Sequence, residues 1–276
     1  MFKRIMVAVV GIPALMVVFF LLKPIWLAVT LSVLSAIAMH EVLWNAGFLK
    51  HKRIIGYSMA VAVLIPLWSF FGAKSQMLLL IVFCYVFLLV CEALASNYRV
   101  TAEQMGGAFF FAFVIPYFLS AFLRIRTGEL GTYYILLPIV AAFLSDGFAL
   151  FAGMWFGKRK LAPTLSPKKT VEGAVGGFLG AILSCVAYGL VMQFGFHLQV
   201  NYIALAVYGA LGSVVSQIGD LTFSYIKRQY KLKDYGKIFP GHGGVLDRFD
   251  SVIFCAPLIE ILIWVLPALN GMPPAA

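Results

Sequence analysis

Residues 202–250 read YIALAVYGALGSVVSQIGDLTFSYIKRQYKLKDYGKIFPGHGGVLDRFD, an apolar segment of membrane-spanning length that runs directly into a charged, glycine-rich one. Asp220 is the only charged residue in 202–223, whereas Ser224–Asp250 holds nine of the chain's 32 charged residues, and the other 249 positions share 23. Lys227, Arg228, Lys231, Lys233 and Lys237 supply cations, and Asp234, Asp247 and Asp250 supply hard oxygen ligands. Gly241, Gly243 and Gly244 let the backbone approach a ligand closely. This is the composition of a polyphosphate and metal site carried on membrane helices.

The rest of the chain extends that pattern. Its 276 residues are 62% hydrophobic and 12% charged, with mean hydropathy +0.97, against roughly 25% charged in soluble domains. Apolar runs near the length of about 20 residues needed to cross a bilayer recur from end to end. They predict an all-α, polytopic transmembrane helical bundle of about nine spans, at residues 6–22, 25–46, 54–72, 77–96, 107–123, 131–155, 173–195, 202–223 and 251–269. Pro24 crowds the start of the second span, and Pro138 threatens a kink in the sixth. The first span follows Lys3 and Arg4 like a signal peptide, but no small-x-small cleavage site follows it, so it is expected to be retained. Residues 1–130 form the N-terminal and middle helices, and 131–276 the catalytic region with cytoplasmic loops 157–172 and 224–250.

Charge orients this bundle. Of the 21 lysines and arginines, 17 fall in connections on one side and only Lys23, Lys74, Arg124 and Arg126 on the other, which places the amino terminus and both polar loops in the cytoplasm and the carboxyl terminus outside. The net charge of +10 then faces anionic headgroups and cytosolic phosphates. Nucleic acid is excluded as a partner, since so little polar surface offers no groove-reading element. The four cysteines, Cys84, Cys91, Cys185 and Cys255, lie in apolar runs without C-x-x-C spacing and read as packing residues.

Both loops have the makings of an anion site. The first, GKRKLAPTLSPKKTVE at 157–172, brings five cations, two prolines that forbid a continuous helix, and hydroxyls at Thr164, Ser166 and Thr170. Its Ser166-Pro167-Lys168-Lys169-Thr170 run precedes a helix start, where anions are favoured. Gly173, Gly176, Gly177 and Gly180 follow at spacings that put small residues on one helix face, read as close helix packing rather than ligand contact. In the second loop Asp220, Ser224 and Lys227 fall at i, i+4 and i+7 on one stripe, and Asp247 and Asp250 share a face at the start of the last span. Two acidic faces joined by one loop favour metal coordination over mere helix capping. Magnesium suits them, because it takes carboxylates together with substrate phosphate oxygens.

Acids inside the spans are costly and therefore informative. Asp146 lies about 15 Å along its helix from the first loop, which calls for a polar cavity opening to the cytosol. Glu41 and Glu92 sit nearer the cytoplasmic ends of their spans and are expected to snorkel or pair with loop cations. Glu260 has no assigned role. His40 and His197 read as structural, whereas His242, in PGHGG, stands in a chemically dense setting.

At this point the residues resemble a known pattern. S-x-x-K-R from Ser224, K-D at Lys233-Asp234, P-G-H-G-G at 240–244 and D-R-x-D at 247–250 resemble the signature of the phosphatidate cytidylyltransferases, also called CDP-diacylglycerol synthases. Upstream, S-D-G at 145–147, G-K at 157–158 and S-P-K-K-T-x-E-G at 166–173 are similar to the same family's cytoplasmic half. The resemblance covers about residues 145–250, with Phe148 a mild departure, while 1–130 match only in being hydrophobic and polytopic. It implies that CTP and phosphatidate give CDP-diacylglycerol and pyrophosphate in phospholipid biosynthesis, at the cytoplasmic face of a bacterial inner (plasma) membrane. It further implies catalytic roles for Asp220, Asp247, Asp250 and Lys227, with Mg2+ on Asp220, Asp247 and Asp250 and a second metal ion drawing on Asp146. Substrate binding falls to Ser166, Lys168, Lys169, Thr170, Ser224, Arg228, Lys233, Asp234, His242, Gly243, Gly244 and Arg248, and a homodimer is the implied assembly.

Three other classes compete. A CTP-dependent lipid kinase of the polyprenol type shares the substrates' chemistry but moves the γ-phosphate to an alcohol and needs a base beside it. An ion-coupled transporter relaying through Asp146, Asp220 and Glu260 lacks a polar path in the outer half of the membrane. A CDP-alcohol phosphotransferase requires D-G-x-x-A-R, which fails where Asp146-Gly147 runs into Phe148-Ala149-Leu150-Phe151.

Overall fold

Proline starts two of the helices. Pro24 opens α1 (Pro24–His40), where its missing N–H is one that a first turn leaves unbonded in any case. Pro138 sits in the first turn of α7 (Leu137–Phe156), separating it from the short α6 (Gly131–Tyr134). The proline expected to kink the sixth span therefore begins its long helix. In this computed structural model, which describes residues 11, 13–72, 74–97, 99–238 and 243–271, the remaining helices are α2 (Lys52–Phe70), α3 (Ser75–Ala95), α4 (Ala102–Leu119), α5 (Ala121–Thr127), α8 (Val171–Phe196), α9 (Tyr202–Gln229) and α10 (Leu246–Val265).

Seven helical segments among the described residues are long and apolar enough to cross a membrane: Pro24–Asn45, Lys52–Phe70, Ser75–Ala95, Ala102–Thr127, Gly131–Phe156, Val171–Phe196 and Tyr202–Gln229. The chain is an all-α polytopic membrane protein. Of the expected first span, 6–22, residues 6–10 and 12 lie outside the described residues, and Val17–Leu21 form a π-helical turn. The ninth coincides with α10, which is apolar along most of its length but carries Asp247, Arg248, Asp250 and Glu260.

The chain forms two compact units, Met1–Thr127 with Gln229–Phe249, and Gly128–Arg228 with Asp250–Ala276. Residues 229–249, which the sequence reading grouped with the C-terminal half, belong to the first unit. Within that unit α1 packs on α2, where the Ser32 hydroxyl donates to the carbonyl of Val63 at 3.0 Å, and the Ser58 and Tyr85 hydroxyls share a 2.6 Å hydrogen bond between α2 and α3. Polar side chains thus bond across helices that have little hydrophobic drive to associate in lipid. A capping box starts α4, with Thr101 accepting from the N–H of Gln104 and Gln104 accepting from that of Thr101, each at 3.2 Å. Leu79, Phe83, Phe87 and Leu94 leave α3 with an outward apolar face, suited to lipid contact.

In the second unit α7 and α8 lie in unusually close contact, and their glycines explain why. A Cβ on Gly177 would stand 2.7 Å from the carbonyl oxygen of Ser145, and one on Gly173 2.7 Å from that of Ala149. The glycine stripe is a packing face, as its spacing suggested. The loop between these helices is a hairpin, β1 (Lys160–Ala162) against β2 (Ser166–Thr170), antiparallel with Lys160 opposite Thr170 and Ala162 opposite Ser166. A second small pair joins β3 (Gln199–Val200) to β4 (Leu269–Asn270). Tyr134 secures it, accepting from the N–H of Leu269 at 2.6 Å.

Candidate active site

The hairpin is held at its base by Thr170, the N-cap of α8, and Glu172 in the first turn of that helix. Thr170 caps the helix, its hydroxyl oxygen accepting from the N–H of Gly173 at 3.1 Å. Glu172 reaches back to the strand's approach, accepting from the N–H of Lys158 at 3.0 Å and of Arg159 at 3.1 Å. Thr170, expected to bind substrate, is buried and committed to this cap. The anchoring leaves Lys168 exposed, while Lys169 turns toward α9 and meets the carboxylate of Asp220 at 2.5 Å. At the other end of the hairpin Arg228 donates from Nε to the carbonyl of Leu165 at 3.2 Å. The first polar loop is therefore fastened to α9 at Asp220 and Arg228.

The helical stripe on α9 forms as its spacing requires. The Ser224 hydroxyl donates to Asp220 Oδ1 at 3.2 Å, and Lys227, one turn on, lies 3.9 Å from Asp250 Oδ2 on α10. Gly219 permits that approach, since a Cβ there would stand 2.9 Å from the Asp250 carbonyl oxygen. Asp250 is 9% exposed and Lys227 8%, so their attraction is little screened by water. Ser251 completes the arrangement: its N–H donates to Asp250 Oδ1 at 2.9 Å and its hydroxyl to Asp146 Oδ2 at 2.7 Å. Asp146, Asp220 and Asp250 are near enough to repel one another, and Lys169 and Lys227 offset that repulsion. Sequence reasoning passed over Ser251, whose one signal was a hydroxyl directly after the acidic pair of D-R-F-D.

Asp247 engages a different set of partners. Its Oδ2 accepts from the backbone N–H of Tyr235 at 2.7 Å and of Gly244 at 2.9 Å, within the first unit. Gly243 adopts φ +84°, and a Cβ there would stand 2.7 Å from the same oxygen, so both the turn and the close approach require glycine. Asp247 thus shapes the glycine loop, whereas Asp250, one turn along the same helix, belongs to the carboxylate–lysine cluster. Lys233, Asp234 and Arg248 are exposed, and Ser166 lies on β2 opposite Ala162. His242 lies outside the described residues.

Glu41 and Glu92 take defined partners as well. Glu92 lies 3.5 Å from Arg53 and 3.7 Å from His51, and accepts from the Tyr57 hydroxyl at 3.2 Å, the pairing expected of it. Glu41 instead accepts backbone N–H groups of Val245 and Leu246.

The carboxylates suit magnesium by the chemistry of their donors. Among the described residues no three His, Cys, Asp or Glu side chains form a ready-made metal cage. Magnesium commonly uses one or two protein carboxylates and completes its shell with water and substrate phosphates; Asp220 and Asp250 are the residues that would hold it.

Membrane helices that gather three carboxylates, two lysines and a basic hairpin define a membrane enzyme acting on phosphate compounds. A family model described as the Cytidylyltransferase family matches residues 2–266, and the chain belongs to that family, as a nucleotidyltransferase. It is 37% identical over 212 residues to a phosphatidate cytidylyltransferase of Bacillus subtilis (strain 168), covering 76% of this chain and 77% of that one. A phosphatidate cytidylyltransferase of Staphylococcus epidermidis is 35% identical over 235 residues, 83% of this chain and 86% of its own. One from Thermotoga maritima is 38% identical over 155 residues, 55% and 56% of the two chains.

Proposed function

We propose that this chain transfers the cytidylyl group of CTP to phosphatidate, giving CDP-diacylglycerol and pyrophosphate for phospholipid synthesis. The observation that carries the reading is the convergence of Asp146, Asp220 and Asp250 with Lys169 and Lys227 at the foot of the basic hairpin. A phosphate oxygen of phosphatidate attacks the α-phosphorus of CTP, a new P–O bond forms, and the bond from that phosphorus to the β-phosphate bridging oxygen breaks. The nucleophile is already an anion, so no strong base is required. The obstacle is the mutual repulsion of two polyanions. Lys169, Lys227, Arg228 and the exposed Lys168 lower it by screening the phosphates and stabilising the departing pyrophosphate.

Magnesium bound at Asp220 and Asp250 would neutralise phosphate charge at the reacting centre. Asp146, tied to Asp250 through Ser251, keeps that pair in place or serves a second ion. Asp247 stays in the metal set on its sequence motif alone. A groove of about 390 Å³ between α8 and α9, lined by Val171, Val175, Phe178, Val214, Ile218 and Leu221, adjoins Lys169 and Asp220 along the chain. It offers an apolar berth for a lipid chain whose phosphate lies among the lysines. Nine spans with the amino terminus and the site on the cytoplasmic side complete the reading, supported by the 17-to-4 distribution of basic residues.

The test is purified protein with Mg2+, phosphatidate and CTP labelled in turn at the α- and γ-phosphates. Label from the α position in the lipid supports cytidylyl transfer. Label from the γ position in the lipid identifies a kinase and overturns the proposal, as does the absence of lipid product.

A further inference from the structure

Glu41 lies where α1 passes into a π-helical turn, Glu41–Asn45, and it is fully buried. Its two carboxylate oxygens are both occupied by neighbouring backbone groups, Oε1 by the N–H of Val245 at 3.0 Å and Oε2 by the N–H of Leu246 at 2.9 Å. Those N–H groups lie at the entry to α10, where the first turn of a helix leaves its donors without internal partners. A buried carboxylate there satisfies two of them and complements the positive end of the helix dipole.

The grip extends beyond those two bonds. A Cβ on either Gly236 or Gly244 would run into the Glu41 carboxyl group, so the chain passes the carboxylate on both sides with only hydrogen atoms to spare. Asp247 binds the same stretch from within, taking the N–H groups of Tyr235 and Gly244. Two carboxylates therefore fix the backbone that carries the P-G-H-G-G and D-R-x-D motifs. Glu41 opens the π-helical turn, and π bulges concentrate at functional sites.

We infer that Glu41 is a positioning residue for the reaction: held in the first transmembrane unit, it sets the backbone of the glycine loop and the first turn of α10, and with them the aim of Asp247 and Arg248. This rests on the cytidylyl-transfer reading above. The carboxylate is needed as such. Glutamine has nearly the same shape but offers one acceptor and one donor, and the donor would face an N–H.

The experiment compares wild type with Glu41→Gln, Glu41→Ala, Gly244→Ala, the Glu41→Ala/Gly244→Ala double variant and, as a control for helix packing, Ser32→Ala. Melting curves first set a temperature at which every variant is folded. Hydrogen exchange across residues 243–249 and initial rates against CTP and phosphatidate are then measured. Glu41→Gln is expected to speed exchange at Val245 and Leu246 and to lower kcat by about 10- to 100-fold, the scale of a misplacement near 1 Å, with KM for phosphatidate unchanged. Ser32→Ala should lower the melting temperature and leave kcat and both KM values alone. The double variant should be no worse than Glu41→Ala, because removing the carboxyl opens the space that the new methyl needs.

Unchanged exchange at Val245 and Leu246, or a kcat for Glu41→Gln within about twofold of wild type, would overturn the inference. Losses that multiply in the double variant would do the same. Should the wild type transfer no cytidylyl group at all, the reaction reading fails, and with it the role of Glu41 in catalysis, while exchange still decides whether the grip exists.

Discussion

Two carboxylate-rich regions of this molecule handle charge in opposite ways. In the second unit Asp220 and Asp250 are balanced by the ammonium groups of Lys169 and Lys227, on side chains with several rotatable bonds. In the first unit Glu41 and Asp247 are satisfied by backbone N–H groups of Tyr235, Gly244, Val245 and Leu246. Lysines can exchange one anion for another, so on the proposed reaction Lys169 would be free to pass from Asp220 to a substrate phosphate. Backbone donors have no such freedom. On the proposed reaction the first of these regions would trade partners, while the second keeps its backbone fixed.

Substitutions can break or sharpen that contrast. The largest effect is expected at Asp220→Asn, which should cut kcat by about 10²- to 10³-fold, the scale seen when one preorganised electrostatic group is lost. The protein should still melt as wild type does, and near-normal turnover in a CTP and phosphatidate assay would remove Asp220 from the exchanging cluster. Lys169→Met should cost about 10-fold in kcat/KM for CTP, or ~1.4 kcal/mol of transition-state binding, with Lys169→Arg recovering part of it. A change confined to melting temperature would make Lys169 a structural partner of Asp220 instead.

On the rigid side, Gly243→Ala imposes a left-handed conformation on a residue with a Cβ, at a cost of roughly 1–2 kcal/mol, and pushes that Cβ toward Asp247. Chemical denaturation should show the loss, and unchanged stability would mean that the loop yields more easily than its hydrogen bonds suggest. The smallest effect is expected from Thr170→Ala. It removes the cap of α8 and should cost about 1 kcal/mol, read by thermal unfolding, with rates preserved where the protein is folded.

How much of this was legible in the sequence depends on the distance over which each feature is encoded. The stripe of Asp220, Ser224 and Lys227 follows from helical period alone, and the close packing of α8 on α7 from the glycine spacing at 173, 176, 177 and 180. Two prolines ruled out a helix at 157–172, yet the hairpin itself was missed, because it depends on Glu172 and Thr170 tying its base. The meeting of Lys169 with Asp220 joins residues on separate elements, and no local pattern specifies it. Pro138 was read as an interruption when it is a beginning, since a proline disrupts a helix only beyond its first turn. Glu41 offered one signal, a carboxylate in an apolar span. Its partners lie 204 and 205 residues further on.

That separation also bears on how the protein is made. Glu41 enters the membrane early in synthesis, and the N–H groups it holds do not yet exist. At about 5–20 residues per second, ~10–40 s pass before Val245 and Leu246 leave the ribosome. Until then the carboxyl group lacks the two backbone donors that hold it in the folded protein. The glycine loop and the first turn of α10 can therefore take up this arrangement only after residues 245 and 246 have been made, long after the helix that carries Glu41.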